Sequence, residues 1–196
     1  SGDTSGAWDS LRRQVSASLN YQMSGIPYWS QDIGGFFRPD DQYTSSDYRD
    51  MLVRWFHFGA FVPIYRVHGG ASHTEPWHYG GDVMERINAT NNLRYRMLPY
   101  TYSGFARVQN EGYTMQRAMV LAYGADWANV GDQFMWGEDI LVAPVVTQAD
   151  NKANSRNLMF PPGLWYNFWT GDTVHSTNLK LLRVPAPIDA SPIYVR

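Results

Sequence analysis

The chain has 196 residues, 44% of them hydrophobic, a formal net charge of −2 and no cysteine. That supports a buried core, excludes disulfides, cysteine-ligated zinc and a cysteine nucleophile, and gives no electrostatic footprint for nucleic acid or an anionic membrane surface. No apolar run reaches the roughly 18 residues of a membrane-crossing helix, and an aromatic share of 15%, with 8 Trp and 13 Tyr, leans mildly towards sugar handling or a large β-rich core.

In chain order, Trp8, Leu11, Val15 and Leu19 recur at helical spacing and predict a helix over 8–23, stopped at Gly25. A short buried strand is expected at 26–29, then a loop over 31–37. Met51, Leu52, Trp55 and Phe58 share one face of a second helix over 45–58. A second short strand, 61–67, ends at His68 and Gly69. Asp82 and Glu85 have the spacing of a capping box and open a third helix that runs towards Gln109 with a kink at Pro99. Beyond Gly112 the runs shorten and read as β: 115–123, 133–136, 140–146, 158–160 and 164–168, separated by turn signals such as Pro161-Pro162-Gly163 and Gly171-Asp172. The order helix–strand–helix–strand–helix followed by a β region means two architectures, divided at 1–111 and 112–196.

Asp3 lies in a Gly/Ser/Thr-rich loop just before the first helix, where a capping or loop Asp is the ordinary reading. Asp32 sits between Ile-Pro-Tyr-Trp and Ile-Gly-Gly-Phe-Phe. The paired glycines let backbone turn tightly or approach a ligand, and an Asx-type turn explains the residue equally well. His68 closes the run PIYRVH, and an imidazole there suits a sugar hydroxyl, a proton transfer or a structural bond. If the strands belong to a parallel barrel, Asp32 and His68 share the rim where such folds do chemistry. HTEPWH gathers His73, Glu75 and His78, but the spacing is not that of two ligands on a helix face and Pro76 breaks any helix there, so no metal is expected. Asn88-Ala89-Thr90 matches a glycosylation sequon inside a predicted helix.

The segments WSQDIGGFF, RWFHFGAFVPIYRVHG followed by EPW, LRYRMLPYTYS, QFMWGEDILVAPV and GLWYNFWTG occur in this order. Together they resemble glycoside hydrolase family 31, which includes α-glucosidases and α-xylosidases. The resemblance runs through nearly the whole chain and implies an α/β fold: the C-terminal part of a (β/α)8 TIM barrel followed by an incomplete all-β sandwich. It implies that Asp3, in SGDTSGAWDSL, is the general acid/base, that Asp32, Phe36 and His68 bind the sugar, and that Arg66 helps hold its strand end. The family's nucleophile is an Asp on an earlier barrel strand that has no counterpart here, so the chain is expected to be an internal segment of a longer enzyme. By itself it should be inert and should fold poorly.

The same resemblance implies a retaining double displacement by two carboxyl groups about 5–5.5 Å apart. FFRPDDQYTSSDYRDMLVRWFHFGAFVPIYRVHGG followed by EPW is most similar to bacterial α-xylosidases, including those acting on xyloglucan oligosaccharides, with α-glucosidase as the alternative. The expected partner is an oligosaccharide or glycoside substrate, with no cofactor and no metal. Family analogy points to a periplasmic or extracellular setting. A reading of another class is a non-catalytic carbohydrate-binding segment in the aromatic β half. Against it, WYNFW alternates and is expected to bury one face in the sandwich core.

Overall fold

The computed structural model describes residues 2–70 and 73–196. Helix α1 (Trp8–Met23) buries Leu11, Val15 and Leu19 and ends at Ser24 and Gly25, the latter at φ +85°. Helix α2 (Ser46–Gly59) starts on Ser45, whose hydroxyl accepts from the Tyr48 amide at 3.4 Å. From Met51 to Gly59 every α2 residue is buried, so the helix is enclosed on all sides.

The chain on either side of α2 is extended, and Ser30 bridges Ile64 in parallel, with the Ile64 amide donating to the Trp29 carbonyl at 3.0 Å. Two parallel segments joined across a helix form a β-α-β crossover. The strands expected at 26–29 and 61–67 therefore form no ladder: the chain makes an isolated bridge between Ser30 and Ile64, and residues 61–63 still belong to the turn that leaves α2. Pro27 and Pro63 each remove an amide donor from these segments.

The third predicted helix is two. Helix α3 (Gly81–Arg96) and helix α4 (Leu98–Glu111) meet at Met97, and Pro99 lies in the first turn of α4, where a missing amide costs nothing. The capping box does not form: α3 follows Gly80 without a side-chain cap, and Asp82 pairs with Arg49 and Arg86 instead. Gly112, left-handed at φ +65°, closes α4.

The remainder forms a six-stranded antiparallel sheet in the order β1-β2-β3-β8-β5-β6 and a two-stranded antiparallel pair, β4-β7. The strands are β1 (Gln116–Ala118), β2 (Phe134–Trp136), β3 (Ile140–Val142), β4 (Ser155–Phe160), β5 (Gly163–Asn167), β6 (Thr173–Ser176), β7 (Lys180–Pro185) and β8 (Ile193–Val195). The predicted strand over 115–123 turns into helix α5 (Met119–Tyr123) after Ala118, and a short helix α6 (Gln148–Ala153) precedes β4. Strand β3 stops short of the predicted 146, close before Pro144.

The two-residue period divides the core. Phe134, Trp136, Ile140, Val142 and Ile193 face one way and join the cluster built by α1 and α2. Met135, Leu141 and Tyr194 face the other way and pack with Leu158, Phe160, Trp165 and Val184. The sheet thus forms a sandwich with β4-β7 on one side and shares a core with the helices on the other.

The expectation for WYNFW holds for Trp165, which is fully buried, and fails after it: Tyr166, Phe168 and Trp169 keep 37–46% of their surface exposed. Strand β5 ends at Asn167, whose side-chain oxygen accepts from the amides of Trp169 (2.9 Å) and Thr170 (3.3 Å). That Asx turn interrupts the alternation.

Two arginines, one buried and one half-buried, tie the elements together. Arg54 of α2 is inaccessible to solvent and donates to Asn151 (2.9 Å) and to the carbonyls of Ala186 (2.8 Å), Pro187 (2.9 Å) and Ala190 (3.4 Å). Arg94 of α3 donates to the carbonyls of Gly59, Ala60, Val62 and Pro63, capping the exit of α2. Its guanidinium lies 4.9 Å from the Tyr65 ring centroid.

Candidate active site

Asp3 is solvent-exposed, and its loop is laced to the loop that carries Asp32. The Thr4 carbonyl accepts from the amides of Phe36 (2.8 Å) and Phe37 (3.0 Å), the Gly6 amide donates to the Phe37 carbonyl (2.7 Å), and Ser5 bridges Phe37 in parallel. The two backbones touch. A Cβ on Gly35, which sits at φ +87°, would lie 2.4 Å from the Gly6 nitrogen. A Cβ on Gly6 would lie 2.6 Å from the Gly34 carbonyl oxygen. Glycine is needed at these positions for approach, and at Gly35 for conformation as well.

Asp32 is 3% exposed, and its carboxylate receives the Arg66 guanidinium at 2.5 Å. The Ile33 amide donates to the Arg66 carbonyl at 3.4 Å. This ion pair joins the extended segments before and after α2, so Arg66 does hold its strand end, and it does so by neutralising a buried carboxylate.

Phe36 connects the three loops. Its amide donates to Thr4, its carbonyl accepts from Gly70 at 2.9 Å, and its ring lies 5.6 Å from that of exposed His68, tilted by 51°. A Cβ on Gly70 would come within 2.8 Å of the Phe36 ring. Exposed Phe37 packs edge-on against Phe36 at 4.9 Å. The structure therefore brings Asp3, Asp32, Phe36, Arg66 and His68 onto one connected set of loops.

Sequence reasoning missed the side chains that hold these loops in place. Arg38 donates to the carbonyls of Ile33 (2.7 Å), Gly35 (3.2 Å) and Thr74 (3.5 Å) and to the Tyr79 hydroxyl (2.5 Å). Tyr48, from α2, donates to the Gly34 carbonyl at 2.8 Å. Tyr79 in turn donates to the Gln42 side-chain oxygen at 2.6 Å. Burial raises the pKa of both Tyr48 and Tyr79, so each remains a donor at any ordinary pH. The arrangement offers an accessible carboxyl, an imidazole and an aromatic ring around a turn that is fixed from below, a set suited to gripping a hydroxylated ligand and moving a proton.

None of these residues lines the partly open pocket of about 70 Å³ where the helices meet the β region, whose walls include His57, Phe61, Thr90, Trp169 and Ser191. Thr90, of the sequon, is buried and bonds the Arg86 carbonyl at 3.0 Å.

Residues 1–104 match the glycosyl hydrolases family 31 TIM-barrel domain, and residues 112–196 match the glycosyl hydrolase family 31 C-terminal domain. An alpha-xylosidase of Saccharolobus solfataricus is 38% identical over 200 residues, covering 100% of this chain and 26% of that protein. Alpha-glucosidase 2 of Bacillus thermoamyloliquefaciens is 29% identical, covering 100% of the chain and 24% of that protein. The crystal structure of a GH31 alpha-xylosidase from Xanthomonas citri superposes with a TM-score of 0.90 at 33% identity, over 100% of this chain and 22% of that one. The chain thus spans about a quarter of the length of these relatives.

Proposed function

The chain belongs to glycosyl hydrolase family 31, and from that premise we propose that it forms part of a retaining α-glycosidase that removes terminal α-linked xylose. In this reading residues 1–111 are barrel and residues 112–196 are the β domain behind it. Asp3 is the general acid/base. The nucleophile is a carboxylate outside these 196 residues. It attacks the anomeric carbon while Asp3 gives its proton to the departing glycosidic oxygen. Asp3, now a carboxylate, then takes a proton from the water that opens the glycosyl–enzyme ester, which returns both groups to their starting state. Phe36 and His68 hold the ring and hydroxyls of the bound sugar. Asp32 binds alongside them, kept in place by Arg66.

The observation that carries this reading is the position of Phe36, hydrogen-bonded to the Asp3 loop on one side and to the His68–Gly70 turn on the other. One residue there sets the acid/base loop relative to the sugar-facing ring and imidazole. A bond-making geometry of this kind depends on fixed placement, since a misplacement near 1 Å can cost roughly 100-fold.

Xylose is favoured over glucose by the 38% identity to an alpha-xylosidase, against 29% to an alpha-glucosidase. An α-glucosidase of the same mechanism is the second reading. The test is kcat/KM for aryl α-xyloside and aryl α-glucoside, measured side by side on the full-length enzyme. A strong xyloside preference is expected. A glucoside preference would overturn the xylosidase assignment and leave the mechanism standing.

A further inference from the structure

The segment HTEPWH cannot place two ligands on one face of an α-helix, yet the fold gathers its acid and both histidines by another route. Glu75 precedes a 3-10 turn, Pro76–Tyr79, and that turn returns His78 to it, leaving His78 Nε2 3.6 Å from a Glu75 carboxylate oxygen. His73 holds a left-handed backbone at φ +63°, uncommon for a side chain that is not glycine. Its carbonyl is fixed by the Tyr43 hydroxyl at 2.7 Å, and its ring centroid lies 4.9 Å from that of His78. Each of the three side chains offers a donor atom, and these atoms all lie within 4.8 Å of one another.

Two features of this cluster point to a cation. The Glu75 Oε2 atom is shielded from solvent and makes no hydrogen bond; the His78 Nε2 that stands 3.6 Å from this same oxygen is too distant for one. Tetrahedral zinc, with bonds of about 2.0–2.2 Å, needs donors about 3.3–3.5 Å apart, and the present donors lie within 4.8 Å of one another, at most about 1.5 Å beyond that. We propose that His73, Glu75 and His78 bind a divalent cation of the zinc type, two imidazoles and one carboxylate leaving a fourth position for water. The site stands independently of the glycosidase reading. Its consequence is structural: the intervening Thr74 gives its carbonyl to Arg38 and sets its methyl 2.9 Å from where a Cβ on Gly69 would be. A cation that closes the 73–78 turn would therefore brace the loop beside His68.

The test uses the full-length enzyme stripped with EDTA, titrated with zinc chloride by calorimetry and with cobalt(II) followed by visible absorption. One equivalent and a tetrahedral cobalt spectrum are expected. His73→Ala and His78→Ala should each weaken zinc binding by at least about tenfold, and Glu75→Gln should weaken it as well. His175→Ala, an exposed histidine of β6, should leave it unchanged. Melting curves in EDTA check that the variants fold, as expected for surface side chains. Absence of saturable binding, zinc affinity unchanged in both ligand-histidine variants, or an equal loss in His175→Ala would each overturn the site.

Discussion

Gly35 shows how closely the proposed catalytic loop is specified. Its φ of +87° disfavours any L side chain, and a Cβ would lie 2.4 Å from the Gly6 nitrogen. Gly35→Ala is expected to lower stability by ~2 kcal/mol and to cut kcat/KM by displacing Asp3, which a melting curve and steady-state kinetics would check together. Asp3→Ala should lose ~10²–10⁴-fold in rate with a poor leaving group, less with an activated aryl leaving group. Added azide should restore turnover and yield a glycosyl azide of retained configuration. Wild-type rates in that variant would remove Asp3 from the mechanism. At this scale much was legible: Asp32, the glycine pair and His68 stand out by residue type and by the turns they occupy. Arg38 and Tyr48 were not legible, because most of what they bind are carbonyls. The partners lie 36 residues away for the Arg38–Thr74 bond and 14 for Tyr48–Gly34, and a carbonyl has no letter of its own.

Among the elements, α2 has the most dependents. Arg54 points from it into the β region and gathers the carbonyls of Ala186, Pro187 and Ala190, while Asn151 accepts from the same guanidinium and donates to Asp50 at 3.0 Å. Burial brings the Arg54 pKa down to about 10, and Asp50 opposes that shift, so the group stays charged at neutral pH. Arg54→Met keeps the bulk but strands those acceptors, and should cost ~3 kcal/mol or more in denaturant unfolding. A variant as stable as wild type would show that water replaces the guanidinium. The long helices were readable from their apolar period, and the β runs with large apolar residues from composition. Helix α6 has six residues, too few to show a period. In β7, Val184 is the one fully buried residue, so its pattern gives no alternation to read. The kink expected at Pro99 became a helix start, since a proline fits the first turn as readily as it breaks the middle.

At the scale of the whole molecule, one source of pH sensitivity is His57, a buried residue of α2 that faces the β region. Burial, reinforced by Arg54, lowers its pKa to about 3, against about 6.5 in an unfolded chain. Between those values the unfolded state binds a proton that the folded state refuses. The His57 contribution to stability is therefore full above about pH 6.5 and is lost as pH drops towards 3. Denaturant midpoints at pH 7 and pH 4.5 should separate in wild type and draw together in His57→Leu. Equal losses in both would assign the acid sensitivity to other groups. The two-part organisation was visible in the change of pattern near Gly112. What the pattern hid is that Phe134, Trp136, Ile140, Val142 and Ile193 complete the same core as Leu11, Trp55 and Phe58. The family boundary between 104 and 112 thus marks a change of architecture inside one apolar core. A chimera that kept this barrel segment and borrowed its sheet from a cousin would inherit mismatched side chains across that seam. Exchange between relatives should succeed only where helix faces and sheet face are traded together, as a single heritable block.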